Sequence, residues 1–276
     1  MFFEVAGITV PLWLPPLAGF VLAFFCSMVG ISGAFLLMPF QMSVLGYVSP
    51  SATATNLVFN LVAIPSGVWR YAKEGRMDWP LAKLIALGTL PGLFAGWWLR
   101  LHWLADPKTF KLFVGLVLGW LGLRLFRELF GRKRATAATH AAEGSTAPDT
   151  QRRAIFLIAL AIGIVGGAYG IGGGSLMAPV LVAVFALPVH AVAGAALFGT
   201  FVTSVVGVAL YQFLPAPSGL AVLPDWPLGL LFGAGGVGGM YLGARTQKHV
   251  SQRALKIGLL LVLAVLAGGY VLQYFR

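Results

Sequence analysis

Charged residues are scarce in this sequence. Asp, Glu, Lys and Arg together make up 10% of its 276 residues, whereas a soluble domain carries about 25%. Hydrophobic residues make up 59%, and the mean hydropathy is +0.88. Because so few charges cannot cover a soluble globule with polar surface, the composition excludes an ordinary soluble domain. We therefore expect most of the apolar surface to face lipid.

Motifs that carry catalytic or metal chemistry are also missing. The one cysteine, Cys26, stands in an apolar run, so an internal disulfide and a CxxC site are excluded. The histidines show no metal-binding spacing; they are His102, His140, His190 and His249. No Walker A sequence, carboxylate pair or nucleophile–base pair is recognisable. These absences count against a pump or an enzyme, and we expect neither a metal nor a cofactor.

The net charge of +11 comes from basic residues that cluster between apolar stretches. Such clusters are typical of the cytoplasmic loops of membrane proteins, so we expect no nucleic-acid partner. They flank segments 70–83, 124–153 and 245–256, whereas the N-terminus and loop 213–226 contain no Lys or Arg. This pattern predicts an external N-terminus and a cytoplasmic central linker.

One loop is an exception to the charge pattern. The orientation places the connection from Arg100 to Lys111 outside, although it also contains Lys108. Arg100 stands near the end of an apolar stretch, where snorkelling to the membrane surface explains a long basic side chain.

Polar residues 131–153 predict a linker between a first membrane repeat, 1–130, and a second, 154–276. The apolar stretches are 12–48, 51–70, 80–101, 109–130, 153–187, 189–214, 227–245 and 255–275. The first stretch of each half is longer than the roughly 20 residues that one membrane helix needs. We therefore predict two short helices in each, 14–29 with 34–46 and 154–169 with 175–186, separated by glycines.

The two halves resemble each other in three matches that occur in the same order. Residues 30–39 (GISGAFLLMP) align with 170–179 (GIGGGSLMAP) at an offset of 140 positions. Asp78-Trp79-Pro80-Leu81 recurs at 225–228, and Gly92 and Gly96 recur as Gly239 and Gly243, at an offset of 147. The fold expectation is an all-α polytopic membrane protein with two inverted-topology repeats. Each repeat has a broken first helix pair followed by three transmembrane helices.

The glycine motifs are the strongest candidates for a binding site. A glycine-rich break before a helix offers backbone N–H groups at a positive dipole end, which suits an anion. The alternative is that these small residues serve close helix packing. Pro39 and Pro179 are expected to bound or kink the helices that follow. The candidate binding residues of the two breaks are Gly30, Ser32, Gly33, Gly172, Gly173, Gly174 and Ser175.

Polar side chains in the next helices add four further candidates. Asn56 and Thr55 are expected near the substrate with Asn60 helping, and Thr200 is the candidate in the second half. An amide at membrane depth needs several hydrogen-bond partners, whereas a hydroxyl can bond its own helix. We expect Asn56→Ala to reduce transport more than protein yield.

The paired glycine motifs, each with a proline nine residues on, resemble the sulfite exporter TauE/SafE family, and so do the repeated Asp-Trp and Gly-x-x-x-Gly elements. The first copy departs from the pattern, with Ser32 and Ala34 opposite Gly172 and Gly174. Ala196 likewise stands opposite Asn56. The resemblance implies a permease of the inner membrane of a bacterium or archaeon. Its implied substrates are sulfur-containing or organic anions, such as sulfite, sulfoacetate or related sulfonates.

The leading functional hypothesis is a secondary transporter of small sulfur-containing or organic anions that works by alternating access. A passive anion channel is the alternative, and a non-transport membrane assembly subunit ranks below both. The expected partners are the anion and the lipid bilayer, and a homodimer is also considered.

Overall fold

The computed structural model describes residues 1–28, 31–130, 149–185, 187, 189–246 and 250–275. Within these ranges the chain is almost entirely helical, apart from an N-terminal hairpin of two short strands. The elements are β1 Phe2–Phe3, β2 Ile8–Thr9, α1 Leu14–Met28, α2 Ala34–Ser43, α3 Pro50–Lys73, α4 Trp79–His102, α5 Pro107–Phe130, α6 Asp149–Tyr169, a 3₁₀ turn Gly173–Leu176, α7 Met177–Phe185, α8 Val189–Phe213, α9 Trp226–Thr246 and α10 Gln252–Phe275.

Several helices are built to cross a membrane. In the described part of the chain, α4, α5, α6, α8 and α10 are long and apolar enough for this by length and composition. Their outer faces expose large apolar side chains, among them Leu87, Leu123 and Val265. Water would disfavour such a surface, whereas lipid accepts it. The nearly all-helical, polytopic fold is therefore confirmed.

Both predicted breaks are present. α1 ends at Met28 and α2 begins at Ala34, while α6 ends at Tyr169 and the 3₁₀ turn leads into α7. Gly170 and Gly172 have φ values of 84° and 74°, a conformation that side-chain-bearing residues rarely adopt. α6 already begins at Asp149, so it takes in the last turn of the segment predicted as a linker. The rest of that segment, 131–148, and Gly30 lie outside the described residues.

The first helix of each half packs closely along the fourth helix of the other half. α1 lies parallel to α9, with the carbonyl groups of Pro16, Phe20 and Phe24 against the glycines 235, 239 and 243. In the same way α6 lies parallel to α4, where it meets glycines 88, 92 and 96. Glycines spaced four apart form a flat stripe along a helix, which lets two backbones approach closely. The repeated Gly-x-x-x-Gly pairs are therefore packing elements.

The repeated Asp-Trp element has a capping role in both halves. The Asp78 carboxylate accepts a hydrogen bond from the Leu81 N–H at 3.0 Å at the start of α4. Asp225 accepts one from the Leu228 N–H at 3.1 Å at the start of α9. A carboxylate at a helix N-terminus satisfies N–H groups that have no partner within the helix.

α3 and α8, the third helices of the two halves, cross in opposite directions. Leu57 packs against Gly207, and Leu197 packs against Gly67. These are reciprocal contacts, because position 57 matches 197 and position 67 matches 207 at the offset of 140. Such an exchange is what a two-fold relation between antiparallel halves produces. The orientation of each half relative to the membrane stays a prediction.

Replacement of Gly92 by Ala is expected to destabilise the protein. The added Cβ would lie 2.8 Å from the backbone nitrogen of Ile164, so α4 and α6 would have to separate. We expect a loss of about 1–3 kcal/mol of unfolding free energy, measured by thermal unfolding in detergent. Gly268→Ala is the matched control, because its Cβ meets nothing within 4 Å and alanine favours a helix. Equal melting temperatures for the two variants would contradict the packing role.

Candidate functional site

Two asparagines of α3 hold the two helix breaks together. The Asn56 side-chain amide donates to the carbonyl oxygens of Ala34 and Gly170, each at 2.9 Å. The Asn60 amide donates to the carbonyl oxygen of Ile171 at 3.1 Å. Ala34 begins α2, whereas Gly170 and Ile171 follow α6. The breaks of the two halves therefore meet at one polar layer in the interior.

The oxygen atoms of the same amides are occupied as well. Asn56 Oδ1 accepts a hydrogen bond from Gln41 Nε2 at 3.3 Å, and Asn60 Oδ1 accepts one from Ser32 Oγ at 3.2 Å. Both asparagines are fully buried. Buried amides with partners on both ends fix the surrounding backbone strongly. Asn56 and Asn60 thus act as bridges between the breaks.

A cavity of about 460 Å³ lies directly beside this polar layer. Its inner end is lined by polar or small residues from both breaks and from α8, namely Ser32, Gly174, Ser175 and Thr200. Its mouth is formed by the C-terminal end of α3 and the residues that follow, including Ser66, Gly67, Arg70, Tyr71, Glu74 and Arg76. The cavity thus leads from one end of the helix bundle to the place where the breaks meet.

Two hydroxyls are adjacent at the inner end of the cavity. Ser175 Oγ and Thr200 Oγ1 lie 3.3 Å apart. Ser175 donates to the Ile171 carbonyl at 2.7 Å, and Thr200 donates to the Ala196 carbonyl at 2.9 Å. A hydroxyl proton can rotate to a new acceptor, so both groups can turn from these carbonyls towards a bound solute.

The mouth of the cavity carries an excess of positive charge. Arg70 Nε lies 2.9 Å from the Glu74 carboxylate, and Arg76 Nη1 lies 3.1 Å from it. The hydrogen bond from Arg70, followed by that from Arg76, lowers the pKa of the exposed Glu74 carboxyl below its usual range. Glu74 therefore stays ionised at neutral pH and offsets one of the two arginines. The remaining positive charge favours the approach of anions.

The far end of the bundle is closed. Tyr47 Oη lies 2.5 Å from Ser51 Oγ and 3.1 Å from Thr55 Oγ1. Thr55 Oγ1 also accepts a hydrogen bond from the Asp225 N–H at 2.9 Å, and Asp225 in turn accepts one from the Ala6 N–H at 3.1 Å. This network joins the N-terminal hairpin, the start of α3 and the loop before α9 into one cover.

The structure places the eleven candidate residues in different surroundings. Four of them line the cavity: Ser32, Gly174, Ser175 and Thr200. Asn56 and Asn60 form the polar layer itself, and Gly172 and Gly173 pack next to it against α8. Gly33 packs against Ala23 of α1. Thr55 belongs to the closed network at the far end, so the structure does not bring it to the cavity. Gly30 lies outside the described residues.

Arg100 is the residue that the sequence reasoning missed. The snorkelling interpretation is wrong, because the side chain is fully buried. Arg100 donates to Thr53 Oγ1 at 3.0 Å and to the carbonyl oxygens of Val48 (2.7 Å) and Leu104. The guanidinium carbon also lies 3.6 Å from the centre of the Phe110 ring. The charge pattern did contain a sign that Arg100 is unusual, because Arg100 begins the one basic connection that the predicted orientation places outside.

Comparisons with known proteins agree with this architecture. The family model described as "Sulfite exporter TauE/SafE" matches residues 16–270. The chain belongs to this family. A "Probable membrane transporter protein" of Xylella fastidiosa (strain 9a5c) is 28% identical over 266 residues, which cover 90% of each chain. "Probable membrane transporter protein YunE" of Bacillus subtilis (strain 168) is 25% identical over 197 residues, 66% of this chain and 71% of the relative.

No solved structure matches the chain significantly. The family match and the named relatives, together with the membrane-spanning helices, identify a multi-pass membrane transporter. The TauE/SafE resemblance seen in the glycine motifs is thus confirmed over nearly the whole chain.

The hydrogen bonds of Asn56 change what is expected of Asn56→Ala. The variant leaves two buried carbonyls and the Gln41 amide without their partner. We expect a loss of about 2 kcal/mol or more of unfolding free energy, accompanied by a loss of transport. Gln212→Ala removes a half-buried amide of α8 that accepts a single hydrogen bond, from the Trp226 indole, and it serves as the control. An Asn56→Ala protein that melts like wild type would show that the bridge does not hold the breaks.

Proposed function

We propose that this TauE/SafE transporter carries small sulfur-containing or organic anions, such as sulfite and sulfonates. The anion binds at the inner end of the cavity, beside Ser32, Ser175 and Thr200. One observation carries this proposal: the second segments of both broken helices begin at the same polar layer, and a positively charged mouth leads to it.

The chemistry of this place suits an oxyanion. The starts of α2 and of the 3₁₀ turn before α7 present the positive ends of backbone dipoles, which attract negative charge. The first N–H groups are not free, since Ala34 donates to Ser32 Oγ at 3.3 Å and Gly173 donates to Thr203 Oγ1 at 3.1 Å. The hydroxyls of Ser175 and Thr200 supply two further hydrogen-bond donors once they rotate away from their own carbonyls. In the described residues the cavity lining contains one carboxylate, Glu74, and it is held by two arginines at the mouth.

Alternating access is the mechanism that this architecture supports best. The cavity opens at the end of α3, where the predicted cytoplasmic basic residues lie, so this conformation faces inward. In the opposing helix α8, Gly207 and Tyr211 stand at the positions that match Gly67 and Tyr71 of the mouth. In a conformation that opens at the other end, this part of α8 would line the mouth, as the end of α3 does in the present conformation. The N-terminus is then external, and the protein lies in a prokaryotic inner membrane.

A panel of anions in proteoliposomes tests the proposed substrate class. Wild-type protein should show saturable uptake and counterflow of at least one of sulfite, thiosulfate, sulfoacetate and sulfate. Ser175→Ala and Thr200→Val should each raise its half-saturation concentration about tenfold, since each removes a hydrogen bond to a charged solute. Thr246→Val is the control, because this exposed hydroxyl bonds its own helix at the end of α9. Uptake of none of the four anions would refute the proposal.

Thiol labelling separates a transporter from a channel. Cys26 is buried, so Cys26→Ser gives a background without a reactive thiol. In that background Ser66→Cys sits at the open mouth, whereas Ser204→Cys is buried on the opposing side of the polar layer. In a transporter, anion gradients that increase labelling at position 204 should decrease it at position 66. A parallel rise at both positions would favour a channel.

A further inference from the structure

Two buried hydroxyls of α8 have no hydrogen-bond partner among the described residues. They are Ser204 Oγ and Tyr211 Oη, and both residues are almost completely inaccessible. A buried hydroxyl without a partner is costly, so its presence calls for an explanation. Neither group lines the cavity, and the anion site proposed above does not use them.

The hydroxyls of Ser204 and Tyr211, called the orphan hydroxyls below, continue a line of polar groups that starts at the cavity. On α8, Thr200, Ser204 and Tyr211 are spaced by four and seven residues and therefore share one helix face. On the opposing α3, the residues Asn60, Asn56 and Thr53 run in the same direction through the protein at spacings of four and three. All six residues are buried. We call them the polar seam.

Contacts between the two helices place both stripes along one junction. Ser204 Oγ lies against Gly172 of the second break, at 3.1 Å from the position of an added Cβ. Gly207, between Ser204 and Tyr211, packs against Leu57 of α3. The Tyr211 hydroxyl faces Thr53, whose Oγ1 accepts a hydrogen bond from Arg100 at 3.0 Å, but it makes no hydrogen bond of normal geometry itself. The seam therefore runs from the cavity to the closed far end.

Arg100 stands at that far end as a buried cation. Its only polar contacts within the described chain are a hydroxyl and two carbonyl groups, and no Asp or Glu of this part of the chain pairs with it. A buried charge without a counter-ion is strongly disfavoured in a membrane protein, and such charges mark solute paths. The carbonyls belong to Val48 and Leu104, which lie in the connections before α3 and after α4.

We propose that the polar seam is the closed half of the anion's path and that Arg100 is a second anion-binding residue at its outer end. This inference rests on the proposed transport function. When the far end opens, the connections that carry Val48 and Leu104 move away, and the guanidinium exchanges their carbonyls for the anion. Tyr211 and Ser204 then donate their free hydroxyls to the anion as it passes towards Thr200.

The orphan hydroxyls provide a test that does not depend on folding. Tyr211→Phe and Ser204→Ala remove hydroxyls that make no hydrogen bond of normal geometry in the closed state, so the melting temperature should stay equal or rise. Sulfite uptake into proteoliposomes should fall about fivefold or more in each variant. Tyr274→Phe, at an exposed tyrosine of α10, is the control and should transport like wild type. Wild-type uptake by both variants would overturn the proposal.

Arg100 is tested by transport measured from each side of the membrane. Arg100→Gln should raise the half-saturation concentration for sulfite about tenfold or more from the side of the α4–α5 connection. It should change that value less than twofold from the cavity side, and Arg100→Lys should restore part of the affinity. If Arg100 has only a structural role, Arg100→Gln would change the half-saturation concentration equally from both sides or would lower only the melting temperature. Either result overturns the inference.

The failure of this inference is distinguishable from failure of the proposed function. If wild-type protein carries no sulfite, the proposed substrate is wrong before any variant is compared. If wild type carries sulfite and Arg100→Gln behaves like Arg153→Gln, which removes an exposed arginine of α6, only the role of Arg100 is refuted. If Arg100→Gln does not fold, the comparison of Arg100→Lys with wild type from each side gives the answer.

Discussion

A helix that breaks inside a membrane must find hydrogen-bond partners for the backbone groups that the break releases, since lipid offers none. This protein contains two such breaks, and α3 supplies the partners for both of them. Asn56 binds one carbonyl from each half, and Asn60 binds a second carbonyl of the C-terminal half. The cavity, the proposed anion site and the polar seam all lie beside this bridge. Together with the hydrogen bond from Tyr169 Oη to the Phe35 carbonyl, it fixes one break relative to the other.

The duplication accounts for the helix packing, which both halves share. The polar groups around the cavity come from positions at which the two copies differ. Packing is shared by the halves, because each first helix lies on a glycine stripe of the other half's fourth helix. The bridge is not shared, since the positions of α8 that match Asn56 and Asn60 hold Ala196 and Thr200. The first half therefore supplies the bridging amides, and the second half supplies the hydroxyls of Ser175 and Thr200 at the inner end of the cavity.

The length of the apolar stretches and the glycine motifs were sufficient to predict the membrane fold and the position of both breaks within a few residues. They were sufficient because hydrophobic length and glycine content act locally along the chain. The partners of a polar side chain are set by tertiary contacts, which explains why Thr55 was grouped with Asn56 although it faces the closed end. The burial of Arg100 likewise depends on Phe110 and two connections that are distant in sequence. No local pattern reveals these contacts.

The central claim is that an anion binds where the two breaks meet. The most direct measurement is a structure determined with selenite, the heavier analogue of sulfite, using the anomalous signal of selenium to locate the bound ion. We expect one peak at the inner end of the cavity, within hydrogen-bond distance of Ser175 and Thr200. A peak elsewhere in the protein, in a sample that transports the anion, would contradict it.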